Sequence, residues 1–210
     1  MKCLIFAMVL LPVMAVALSG CGGSQEAERH FSAGMAFQEQ GLPKEAIQSF
    51  TKVIQADPQH AGAYFGRGSA YHDLLQYQRA IGDYDEAIRL DPQRVEVYCS
   101  RGKAYYGLGQ YEKSIVRFDE AIGLKSRDAD AYHNRGLAYF SLGQYPKSLE
   151  DFDQAIRLDP QLEDSYTRRV MVFTLLSQDS DAREAVDVAV DAGVDRAFLE
   201  QYIKSLKMVR

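Results

Sequence analysis

One interval governs this chain: residues 34 apart keep the same character from near the N-terminus to well past the middle. Gly34, Gly68, Gly102 and Gly136 are in step, and Phe37, Tyr71, Tyr105 and Tyr139 follow three places behind them. Later in each unit Ala46, Ala80, Ser114 and Ser148 recur, then Phe50, Tyr84, Phe118 and Phe152, then Val53, Ala87, Ala121 and Ala155. Asp57-Pro58, Asp91-Pro92 and Asp159-Pro160 close three of the four units. A chain with such a period folds as a row of like units, each touching only its neighbours.

The content of one unit predicts two helices. Tyr64, Gly68 and Tyr71 fall at helical spacing within 61–74, and Ala80, Tyr84, Ala87 and Ile88 do so within 77–90. Gly68, Ala80 and Ala87 lack bulk, so the two helices can approach closely while the tyrosines fill the space around the contact. Pro92 stops the second helix or starts the next, because it cannot donate an interior hydrogen bond. A single hairpin buries too little apolar area to stand alone and must stack on others.

This pattern resembles the tetratricopeptide repeat, with four clear units at 27–60, 61–94, 95–128 and 129–162 and a degenerate fifth at 163–193. Two departures recur. The usual Trp of the fourth place is Tyr64, Tyr98, Tyr132 and Tyr166, with His30 in the first unit, and the usual Leu of the seventh is Arg67, Arg101 and Arg135. The resemblance implies an all-α, right-handed superhelical solenoid of antiparallel helix hairpins. In the fifth unit Val170 stands where Gly is expected, while Ala182 and Ala189 keep the small places. Residues 194–210 are expected to form a capping helix behind Gly193, with Asp195 at its start; a partner-binding helix is the alternative.

The N-terminus is of another kind. Lys2 is followed by an apolar run from Leu4 to Leu18, which reads as an export leader over 1–20. As a helix the run would span roughly 22 Å, short of the roughly 30 Å of bilayer hydrocarbon. Leu18-Ser19-Gly20-Cys21 resembles the bacterial lipobox, which implies a lipoprotein beginning at a lipidated Cys21; an ordinary secretory signal with an incidental Cys is the alternative. Gly22 after that Cys implies, by the sorting rule of such lipoproteins, an outer membrane facing the periplasm. Residues 21–26 would be the lipidated tether, reaching roughly 17 Å at most from Gly22 to Glu26. Several acyl chains make such anchoring effectively permanent.

Composition narrows the partners. Lys plus Arg number 24 against 29 Asp plus Glu, a moderately acidic balance that argues against nucleic acid and against binding anionic headgroups by charge alone. Once Cys3 leaves with the leader and Cys21 takes lipid, Cys99 is alone and no intramolecular disulfide can form. His30, His60, His72 and His133 show no metal-ligand spacing, and no nucleophile elbow, phosphate loop or dinucleotide fingerprint is present. No cofactor, metal or enzymatic activity is expected.

Function is then expected on a surface. In the repeat family the first helix of each hairpin lines a concave groove. The resemblance carries this role to Phe31 and Met35, to Phe65, Ser69, His72 and Asp73, to Cys99, Lys103 and Tyr106, and to His133, Asn134, Leu137 and Phe140, with Arg168 and Met171 in the fifth unit. The lining lacks the Lys and Asn set that chaperone-binding members use to grip a terminal carboxylate. Either Phe65, Tyr106 and Phe140 face a client, or they pack against neighbouring hairpins. Arg67 with Asp83 and Arg135 with Asp151 hold equivalent places and read as structural ion pairs, a ligand-binding Arg being the other reading; Arg101 faces Arg117.

The expected function is therefore a non-enzymatic adaptor, lipid-anchored in the bacterial envelope, that binds an envelope protein in its groove. It resembles two kinds of repeat-bearing lipoprotein: pilotins that assist secretin assembly in type IV pili, and adaptors that deliver partners to murein hydrolases or proteases. The alternatives are a structural or self-associating assembly factor with no client in the groove, and a subunit of an enzyme active only in complex.

Overall fold

The computed structural model describes residues 19–208. The expected leader, apart from Ser19 and Gly20, lies outside the described residues, as does the side chain of Cys21. Among the described residues the regular elements are all α-helices. They form five hairpins: α1 (Ser19–Glu39) with α2 (Pro43–Ala56), α3 (Ala61–Asp73) with α4 (Tyr77–Leu90), α5 (Val95–Gly107) with α6 (Tyr111–Leu124), α7 (Ala129–Ser141) with α8 (Tyr145–Leu158), and α9 (Glu163–Leu175) with α10 (Asp179–Asp191). A last helix, α11 (Arg196–Met208), packs mainly on α9. The expected tether is not a separate segment, because α1 already runs from Ser19. Five helical residues rise about 8 Å, half the reach of an extended linker.

Each of the first four hairpins closes by setting a ring on a glycine. A Cβ built on Gly34, Gly68, Gly102 or Gly136 would stand between 2.7 and 2.9 Å from a ring carbon of Phe50, Tyr84, Phe118 or Phe152 respectively, so only glycine admits the ring. Phe50 is also overlain by Gly66 from the next repeat, at 2.5 Å from the same construction. Those rings are fully buried and anchor the cores. The fifth hairpin uses Val170 and Val186 instead, with Leu199 of α11 completing the cluster.

The turns between paired helices share one device. Gly41, Gly109 and Gly143 take φ of +69°, +71° and +70°, with Leu75 at +58° and Ser177 at +59° in the equivalent places. At each, the next residue's N–H reaches back five places in the chain, as Gln110 does to the Tyr105 carbonyl at 3.0 Å and Gln76 to Tyr71 at 2.9 Å. The Asp-Pro junctions work differently: Asp57, Asp91 and Asp159 each accept a hydrogen bond from the N–H two residues on. The Tyr98 and Tyr166 hydroxyls then donate to the carbonyls of Pro92 and Pro160, which gives the Tyr at the fourth place a partner that an indole could not reach in the same way. At the third junction, which lacks Pro, Asp128 caps α7 by accepting from the Ala131 N–H at 3.1 Å and pairs with Lys125 at 3.2 Å. Asp195 likewise accepts from the Phe198 N–H and starts α11.

The recurrent arginines bind three helices together. Arg67 of α3 donates twice to Asp83 of α4, at 2.8 and 2.7 Å, and once to Thr51 of α2. Arg135 of α7 does the same with Asp151 of α8 and Asp119 of α6. Arg101 is not left against Arg117: it pairs with Asp85 of the preceding repeat and with Glu120, which also receives Arg117. Arg169 of α9 keeps only the backward link, to Asp153. The same guanidiniums lie over the fourth-place rings, 5.7 Å from Tyr64, 5.5 Å from Tyr98 and 5.3 Å from Tyr132. The two departures from the family pattern are one feature, a partly buried lattice that ties each hairpin to the one before it.

A candidate protein-binding groove

Successive first helices touch one another, α1 with α3, α3 with α5 and α5 with α7, more closely than their second-helix partners do. Helices that stand closer on one side of a stack line its inner curve, so the first helices form the concave face. No helix among the described residues is long and apolar enough to cross a membrane, and no group of three His, Cys, Asp or Glu there comes together to hold a metal ion.

The expected groove residues divide into three groups. Met35 (42% exposed), Ser69, Lys103, Asn134 and Leu137 reach the face, with Asn134 tied to the Asp130 carbonyl at 2.6 Å. A second group is half-buried and braced by a neighbouring ring: Phe31 on Phe50 and His60, Phe65 on Tyr84, His72 on Tyr77, Tyr106 on Tyr111, and Phe140 on Tyr145. Phe65, Tyr106 and Phe140 thus each pack against a ring of their own hairpin and stay partly exposed. The Arg94 guanidinium lies 4.9 Å from the Phe65 centroid, and the Tyr106 hydroxyl meets Ser141 of the next repeat at 3.1 Å. Cys99 is half-buried, and burial pushes its thiol up to about 11, so it stays protonated.

His133 is not a groove residue. Only 8% of it is exposed, and its Nδ1 lies 2.8 Å from the Ser165 hydroxyl, joining α7 to α9. Burial pulls its imidazole below the ordinary histidine range. In the fifth unit Met171 is half-buried, and the Tyr202 hydroxyl of α11 reaches its sulfur at 3.1 Å. The groove thus opens along the first four repeats and ends at α11.

Between the second and third repeats the face sinks into a depression of about 240 Å³, lined by Ser69, His72, Asp73, Tyr84, Ser100 and Lys103. Ser100 and the Tyr84 hydroxyl were not singled out from the sequence, although one signal was there: Tyr84 breaks the run of Phe50, Phe118 and Phe152. Lys103 makes no ion pair among the described residues, and its charge bears on His72, Cys99 and His133 alike.

Family profiles described as tetratricopeptide repeat match residues 31–95 and 129–162, and one described as TPR repeat matches 105–143. Solved structures agree in fold. MamA protein is 24% identical, with 80% of this chain and 92% of that chain covered and a TM-score of 0.73. Pseudomonas aeruginosa pilF is 18% identical over 89% and 86%, with a TM-score of 0.74. YrrB, described as a TPR protein with an unusual peptide-binding site, is 19% identical over 89% and 96%, with a TM-score of 0.71. No curated protein matches the sequence.

Proposed function

From a chain built of tetratricopeptide repeats, a fold of non-catalytic scaffolds that bind peptide or protein partners, we propose an adaptor that holds an envelope protein segment in its concave groove. One observation carries this reading: Met35, Phe65, Lys103, Tyr106, Leu137 and Phe140 lie accessible along four adjacent first helices, and the row ends at the chain's own α11. An anchor side chain buried by a ligand contributes roughly 1.5–3 kcal/mol, so three or four of them approach the roughly 8 kcal/mol of a micromolar complex. An extended or helical segment crossing several repeats engages that many. The structural neighbour with a peptide-binding site supports the same use of the fold.

We further propose that Cys21 carries the lipid and that the solenoid works at an outer membrane, facing the periplasm. With α1 helical from Ser19, the first repeat would sit within about a turn or two of the acyl chains. The tests are direct. Cells grown with an alkyne-bearing palmitate should label the wild-type protein and not Cys21→Ser; equal labelling removes the anchor. Photo-crosslinking groups at Phe65 and Tyr106 should capture one envelope protein, and the Phe65→Ala, Tyr106→Ala double variant, still folded, should lose it. Capture of a second copy alone would favour the self-associating assembly factor instead.

A further inference from the structure

We propose that the partner segment held in the groove leaves it across the turn of the second hairpin, and that Leu75 and Leu108 there grip one bulky apolar side chain of that segment. This rests on the groove reading above and carries the interface beyond the concave face.

Leu75 is held where the other turns place a glycine or a small polar residue. Gly41, Gly109 and Gly143 take φ between +69° and +71°, and the fifth turn has Ser177, whereas Leu75 takes φ +58° with a Cβ that crowds the backbone there. The side chain buries little of itself in return, being 69% exposed. A strained backbone that carries an exposed aliphatic group is unfavourable to the isolated fold, and a contact made outside the chain offsets it.

Beside Leu75 the surface sinks into a notch of about 420 Å³ between the second and third turns, with Leu108 as its other apolar wall. Tyr77 lines it as well. A Cβ built on Gly107 would stand 2.5 Å from the Tyr77 ring, so this ring lies directly on the end of α5. Gln76, Gln78 and Arg79 complete the lining, and Arg79 is the one charge among them. An aliphatic or aromatic side chain fits between two leucines and a ring, while Arg79 at the rim favours an acidic neighbour of that residue over a basic one.

The occupant follows from the notch's place in the fold. The Tyr77 ring meets the His72 ring of the groove with centroids 5.2 Å apart, so notch and groove adjoin, and a segment bound at His72 reaches the notch by crossing the end of α3. A bilayer holding Cys21 would lie at the opposite edge, because α1 takes 21 residues, about 30 Å, to run from Ser19 to its turn. A second copy docked notch to notch would set Arg79 against Arg79.

The test uses a random hexadecapeptide display library on the protein purified as the cell processes it, in mild detergent. The expected result is a set of peptides with a bulky apolar residue fixed near one end, which the Phe65→Ala, Tyr106→Ala double variant no longer binds. For such a peptide carrying a fluorescent label, Leu75→Gly should weaken binding about tenfold while the melting temperature holds or rises. Arg79→Glu should turn the neighbouring position of the selected peptides from Asp or Glu towards Lys or Arg. The chain has no Trp, so Leu75→Trp supplies a single emitter, whose emission should shift to the blue when the peptide is added. Peptides that need the groove but bind Leu75→Gly as tightly as the wild type overturn the notch and leave the groove. Peptides lost in Leu75→Gly yet kept by the double variant overturn the shared path. A blue shift of Leu75→Trp on phosphatidylethanolamine and phosphatidylglycerol vesicles without peptide assigns Leu75 to lipid, and a dimer in sedimentation that Leu75→Gly dissolves assigns it to a second copy; either overturns the proposal. No enrichment at all overturns the groove reading and the notch with it.

Discussion

The third hairpin and the fifth fill the same place between two helices with opposite distributions of bulk. In the third, Gly102 vacates space on α5 and the whole Phe118 ring enters it from α6. In the fifth, Val170 on α9 and Val186 on α10 share the space, and Leu199 arrives from α11 to complete the cluster. The ion pairs follow suit. Arg101 is held both backward, by Asp85, and within its own hairpin, by Glu120, whereas Arg169 is held only backward, by Asp153. An internal repeat meets like neighbours on both sides and can keep the close glycine approach. The fifth has a like neighbour on one side and α11 on the other, so its core is built for that element.

Four measurements would break or sharpen this contrast. Phe118→Ala should cost about 3–5 kcal/mol in urea unfolding followed by circular dichroism, because the ring alone fills its site. Val186→Ala should cost about 2 kcal/mol, the bulk there being shared among three side chains. Equal losses would mean that the two cores are built alike. Next, Gly102→Val alone should destabilise by about 1–3 kcal/mol through overpacking. Combined with Phe118→Val, which reproduces the fifth hairpin's pair, part of that loss should return, and strict additivity in the double-mutant cycle would refute the exchange of bulk.

The third measurement concerns the seam between the fourth hairpin and the fifth. Because burial holds the His133 imidazole below its usual range, the unfolded chain binds this proton at higher pH than the folded chain. The stability that comes from keeping His133 neutral is full above about pH 6.5 and is lost as pH falls below it, at no more than about 1.4 kcal/mol per pH unit. His133→Gln should flatten the slope; an unchanged slope would show that the seam does not sense pH through this residue. The smallest effect is expected at the turns. Leu75 and Ser177 hold positive φ without being glycine, and Leu75 is 69% exposed. Leu75→Gly should raise stability by about 0.5–1 kcal/mol, and any loss would reveal a contact that the exposed side chain makes.

Much of this was legible in the order of residues. The 34-residue interval, the glycine and ring places and the turn glycines each specify a local outcome, and the helices begin and end accordingly. The pairing of Arg67 with Asp83 and of Arg135 with Asp151 was visible because both partners recur at a constant offset. What escaped were contacts that cross from one repeat to the next. Asp85 holding Arg101 of the next repeat, Asp128 closing a junction without Pro, and Ser165 drawing His133 out of the groove all depend on how one hairpin is rotated upon another. Helical periodicity places a residue on a face, but it does not say how deep the next hairpin will bury that face.

Sequence alone settled that this chain is a row of helix hairpins, because small residues and rings at helical spacing, repeated at one period, can bury their apolar faces in no other way. It also nominated the concave face, through family resemblance. Which groove side chains stay open was decided by the stacking, since Ser165 of the next hairpin takes His133 and the Tyr202 hydroxyl of α11 reaches Met171. The same is true of the Tyr84 hydroxyl: its departure from Phe is one letter in the sequence, and its partners are found only when α3 and α5 bring Ser69 and Ser100 to it.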